Sequence, residues 1–78
     1  MANNFEVHYS FDIKDKVTEE LSHWERGSFE IEFPTAKDFD SAKVKSIILS
    51  MARKHCHNST DFISYSNYFK IIDLGEIT

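Results

Sequence analysis

Three consecutive residues, His55, Cys56 and His57, and Asp61 four positions on, are of the types that hold metal ions. Imidazole, thiolate and carboxylate are the usual ligands of zinc. Three neighbours at the end of a helix cannot all aim at one ion, however, and no second ligand pair stands at zinc-finger spacing. The stretch therefore reads as a helix-end histidine pair beside a buried cysteine. Nucleophilic catalysis by Cys56 would need an activated thiolate and an oxyanion site, and the sequence supplies neither. The paired carboxylates Glu19–Glu20 and Glu30/Glu32 are of the type that does acid–base work. Such work needs an enclosed pocket, and 78 residues with two glycines leave little room for one. There is no glycine-rich phosphate loop. The expectation is a protein that is not an enzyme, with no cofactor and no metal. Recognition remains, and Trp24, Tyr65 and Tyr68 are either core residues or, where exposed, interface anchors.

Those side chains need a scaffold, and the composition specifies a folded one. Seventy-eight residues make one domain, spanning 1–78. Hydrophobic residues are 41% and aromatic residues 14% of the chain, which is a folded composition rather than a disordered one. Large aromatic side chains enlarge a core that a chain this short otherwise struggles to build. Cys56 is the single cysteine, so no intrachain disulfide is possible. The opening MANNFEVHYS has neither the basic nor the apolar stretch of a signal peptide, and the longest aliphatic run is Ile47–Leu49. A cytoplasmic protein with no membrane segment is expected.

The pattern along the chain names the elements. In FEVHYSFDI, Phe5, Val7, Tyr9, Phe11 and Ile13 alternate with Glu6, His8, Ser10 and Asp12, which is a half-buried strand. Residues 15–26 are ambiguous. Val17, Leu21 and Trp24 fall at i, i+4 and i+7, which fits a short helix with Asp15 as its cap, whereas Val17–Thr18 and Gly27 also fit a second strand. The helix is slightly favoured, because strand alternation puts Glu19 on the face of Val17 and Leu21. SFEIEF alternates again and Pro34 ends it. The strongest element follows: Val44, Ile47, Ile48, Met51 and Ala52 make a helical stripe, with Asp38 or Asp40 at its start and Asn58 as its stop. The last stretch, DFISYSNYFKIIDLGEI, reads as a hairpin turning at Ser66–Asn67 or as one long interrupted strand. The fold expected is α+β, a small, mostly antiparallel sheet of three to four strands with one long amphipathic helix packed on one face.

Charge divides the chain. Residues 1–40 carry ten acids and four bases, residues 41–78 three acids and five bases, within a net charge of −4. If the first strand pairs with SFEIEF, then Glu6, Asp12, Glu30 and Glu32 share one solvent-facing surface. Carboxylates gathered there repel one another unless a cation or a basic partner is present. Glu6, Asp12, Glu19, Glu20, Trp24, Glu30 and Glu32 are accordingly the expected partner-binding residues. Lys43, Lys45, Arg53 and Lys54 make a basic helix face, a thin footprint for nucleic acid without interleaved aromatics.

The run SFEIEFPTAKDFDSAKVKSIILSMARKHC followed by a closing strand resembles the small strand–strand–helix–strand inhibitors that bacteriophages and mobile elements use against host machinery, anti-CRISPR proteins among them. The resemblance spans about residues 28–74 and lies in element order, acidity and size. It implies a stoichiometric inhibitor, acting in the host cytoplasm as a monomer or weak homodimer. It would block a basic, nucleic-acid-handling surface of a bacterial protein or ribonucleoprotein complex and bind no nucleic acid itself. The helix here is basic and the acidity modest, which points to a specific protein contact rather than to simple DNA mimicry. Two other classes fit the same chain: an antitoxin or small regulatory subunit, and a nucleic-acid-binding module using the basic helix face.

Overall fold

The computed structural model describes residues 2–77. The elements run β1 (Ala2–Asp15), β2 (Leu21–Phe33), α1 (Ser41–Arg53) and β3 (Asp61–Ile77), with one turn of 3-10 helix at Ala36–Asp38 before α1. The sheet order is β2-β1-β3, and both pairings are antiparallel. The first strand of the chain is thus the central one, and the β2–α1–β3 connection crosses over it. The helix covers one face, as an α+β architecture with three strands.

The alternation of β1 does what it foretells. Phe5, Val7, Tyr9, Phe11 and Ile13 are buried, and they meet Val44, Ile48 and Ala52 of α1. Ile47 and Met51, the rest of the stripe, pack half-buried against this core. Near the start of the helix the core is aromatic: the rings of Phe5, Phe33 and Phe39 contact one another edge to face at 5.1–6.0 Å. Asp40 starts α1 by accepting from the backbone N–H groups of Ala42 and Lys43 at 3.0 and 3.3 Å.

Two open readings are decided and one boundary moves. Residues 15–26 are no helix: a tight turn leads directly into β2. Asp15 builds that turn. Its Oδ1 accepts from the N–H groups of Val17 and Thr18, its Oδ2 accepts from the Thr60 hydroxyl, and its own N–H donates to the Glu20 carbonyl. Glu19 takes a left-handed φ of 60°. A helix here would bury a stripe of three residues, whereas the strand ladders with β1 from Asn3↔Phe33 to Lys14↔Leu21 and satisfies its backbone along that length. Val17, the first residue of the supposed stripe, is 79% exposed.

The helix also stops before Asn58. It ends at Arg53, tightening through His55 N–H to Ala52 O and Cys56 N–H to Arg53 O. Asp61 holds the following turn by accepting from the N–H groups of His57 and Asn58. Finally, Ser66–Asn67 is no turn: β3 is a single strand of 17 residues. It keeps pace with β1 through three register shifts, which leave Ser64, Phe69 and Leu74 unopposed. The molecule is long and thin, 49 × 16 × 16 Å.

Candidate functional site

The face of the sheet away from α1 has no covering element among the described residues. Even positions of β1 point there, and the register places β2 and β3 residues beside them in rows. At one end Glu32 lies opposite Asn4, and Glu30 lies opposite Glu6, which is flanked on its other side by Ile72. At the other end Trp24, Asp12 and Tyr65 form a single row. Between them stand Ser28, His8 and Lys70, then Arg26, Ser10 and Asn67. Phe69, extruded by one of the register shifts, lies over this middle: the Arg26 guanidinium sits 4.9 Å from its ring centre and the His8 ring is 6.1 Å away.

The face is therefore graded: Glu6, Glu30 and Glu32 gather at one end, Phe69 lies over the middle, and Trp24 and Tyr65 flank Asp12 at the other. Trp24 is 61% and Phe69 52% exposed, and Tyr65 is also exposed. Trp24 and Tyr65 are exposed rather than in the core, whereas Tyr68 packs against the core. Glu6, Asp12, Trp24, Glu30 and Glu32 do share this face. Glu19 and Glu20 do not: they lie in the β1–β2 turn at its edge. Two of the carboxylates have partners. The Asn4 side-chain amide donates to Glu30 at 2.9 Å, and His8 Nε2 lies 2.6 Å from Glu6 Oε1. Glu6 and Glu30 nevertheless oppose each other directly, a like-charge pair that costs stability and that a cationic partner would relieve.

A second group lies on the opposite, helix-bearing face, where the sequence alone marked His55 but not His23 or Glu25. Read backward from Phe29, the alternation of β2 puts Glu25 and His23 on the inner face, so the signal is present in the chain but hidden by the helical reading of 15–26. The end of α1 brings His55 onto the same spot. The rings of His23 and His55 stack at 4.1 Å, and both rest against Phe11 at 5.6–5.8 Å. Glu25 Oε1 is 3.7 Å from His23 Nε2 and 3.6 Å from His55 Nε2. Its other oxygen accepts from the Tyr9 hydroxyl at 2.6 Å. Burial, and then the bond and charge of Glu25, push the Tyr9 hydroxyl up to about 12.

Tyr9 reaches Glu25 because Gly27 lies across from it. A Cβ on Gly27 would stand 2.9 Å from the Tyr9 oxygen. The His55–Cys56–His57 run does not act as one set. The Cys56 thiol is directed at the Ala52 carbonyl, 3.8 Å away, and the Asp61 carboxylate caps a turn. A cleft of about 200 Å³ adjoins the histidines, lined by Ser22, His23, His55, His57, Asn58 and Asp61. The basic side chains Lys43, Lys45, Arg53 and Lys54 are exposed on or just beyond α1.

Among the described residues, no helix is long and apolar enough to cross a membrane. Set against known proteins, the chain matches no family model, no curated protein and no solved structure.

Proposed function

We propose that this protein is a non-catalytic binding module that seats the open face of its sheet on a basic, partly apolar surface of another protein. Its resemblance to mobile-element inhibitors makes the target a bacterial complex that handles nucleic acid. One observation carries this reading: a solvent-open, three-stranded surface joins an acidic end (Glu6, Glu30, Glu32), across the exposed Phe69, to an end where Trp24 and Tyr65 stand exposed. Aromatic anchors supply interface energy, and the carboxylates supply steering and orientation.

The test is capture from bacterial lysate on immobilised protein, followed by binding kinetics with the retained partner. The doubly reversed Glu30→Lys/Glu32→Lys chain should associate more slowly, with the difference shrinking as salt rises. Trp24→Ala should dissociate faster. If neither changes the kinetics, the open face is not the contact. Salt-sensitive binding of DNA or RNA by the protein alone, lost in Lys43→Glu/Lys45→Glu, would replace this reading with the helix-face one.

A further inference from the structure

We infer that His23, Glu25 and His55 form a binding site for a divalent transition-metal ion of the zinc type, on the helix side of the sheet and separate from the proposed partner surface. Three nitrogen and oxygen ligand atoms, one from each residue, lie within 4.8 Å of one another. Two imidazoles and one carboxylate suit zinc, copper or nickel and are too nitrogen-rich for calcium or magnesium. Three protein ligands leave one position for water or an exchangeable group, as in the open class of zinc sites.

The distances favour an ion over a hydrogen-bonded cluster. The 3.6 and 3.7 Å separations from Glu25 Oε1 to the two imidazole nitrogens are too long for hydrogen bonds. They lie close to the ~3.3 Å edge of a ligand tetrahedron built on bonds of about 2.0–2.1 Å. His23 Nε2 is shielded from water yet has no hydrogen-bond partner, and so is Asp61 Oδ1 on the wall of the adjoining cleft. A ring nitrogen left unpartnered in this way is costly unless something fills the gap.

The surroundings also hold the ligands in place. His23 and Glu25 stand two apart on one strand and so project from the same face. The Tyr9 hydroxyl binds the far oxygen of Glu25, which turns the near one toward both histidines, and Gly27 leaves the space that Tyr9 needs. Outer partners of this kind orient metal ligands. Coordination requires the two stacked rings to tilt so that their in-plane lone pairs converge, and the cleft beside them gives His55 room to do so. The bound ion would tie the end of α1 to β2.

The test is calorimetric titration of the full chain with Zn²⁺ at pH 7.5, paired with Co²⁺ and visible absorption. One ion per chain is expected, with a raised melting temperature and the strong d–d bands of a four-coordinate site. His23→Ala and His55→Ala should each weaken binding about tenfold or more, Tyr9→Phe should weaken it by about tenfold, and His8→Ala on the opposite face should leave it unchanged. Circular dichroism checks that each variant folds. Should the alanine variants unfold, Co²⁺ broadening of histidine ring signals in the unaltered chain decides: His23 and His55 should broaden and His8 should not. Zn²⁺ binding that survives both alanine changes, or broadening centred on His8, overturns the assignment.

Discussion

The two sides of β1 share a backbone and differ in nearly everything else. Its odd side chains are sealed under α1, and Val7, Phe11 and Ile13 have no exposed surface. Its even side chains face a surface where Trp24 and Phe69 stand more than half exposed beside unlike charges. On the first side the side chains answer to one another's volumes. On the second, contacts such as Asn4–Glu30, Glu6–His8 and Arg26–Phe69 are few and open to water. The same strand thus separates the residues that make the protein stable from those available for binding.

Four measurements break or sharpen that division. The largest effect belongs to Phe11→Ala, which opens a cavity under the helix and should cost about 3–5 kcal/mol. Thermal melting should show it, whereas Trp24→Ser should stay within about 0.5 kcal/mol of the parent. Equal losses from the two substitutions would mean that the open face also carries stability. Next is Gly27→Ala. Its methyl group meets the Tyr9 hydroxyl, and overpacking of this kind costs about 1–3 kcal/mol. Ser28→Ala, one residue along and facing the other way, should be close to neutral. Asp40→Ala removes the helix cap and should cost about 1 kcal/mol, while Asp38→Ala, outside that cap, should cost little.

The smallest effects are those of pH. The Tyr9 hydroxyl is raised from 10.0 to about 12, so its contribution to stability is intact below pH 10 and fades as the pH climbs through 12. Ultraviolet titration should show a tyrosine ionising above the ordinary range, and Tyr9→Phe should remove that step. On the acid side, backbone and side-chain donors hold Asp15 and Asp73 below the ordinary 3.8. Their contribution is present above that value and is lost as the pH drops below it. Asp15→Ala should flatten the acid limb of a stability–pH curve; an unchanged limb would place the acid sensitivity elsewhere.

Most of the fold was legible because it obeys two short periods. The alternation of Phe5–Ile13 and Phe29–Phe33, and the stripe Val44–Ala52, identify the core face of each element without any tertiary information. Residues 15–26 were misread because three apolar residues at helical spacing resemble a helix until the pairing partner is known, and the pairing partner is β1 itself. The acidic end of the open face followed from those same alternations. The exposed Phe69 over its middle did not, since that residue reaches the face through a register shift that no local pattern announces. The histidine cluster was hidden twice: once by the helical reading of its strand, and once because His55 belongs to a different element and meets His23 only when the helix docks.

The central place of the first strand in the sheet sets an order of events during synthesis. As the chain is made, β1 can pair with β2 as a hairpin, but its other edge waits for residues 61–77, which follow the helix in the chain. Until then a nascent chain exposes an unpaired strand edge with Phe5, Val7 and Phe11 alongside it, a surface that invites other chains or a chaperone. A chain held up before residues 61–77 can dock would stay in its stickiest form.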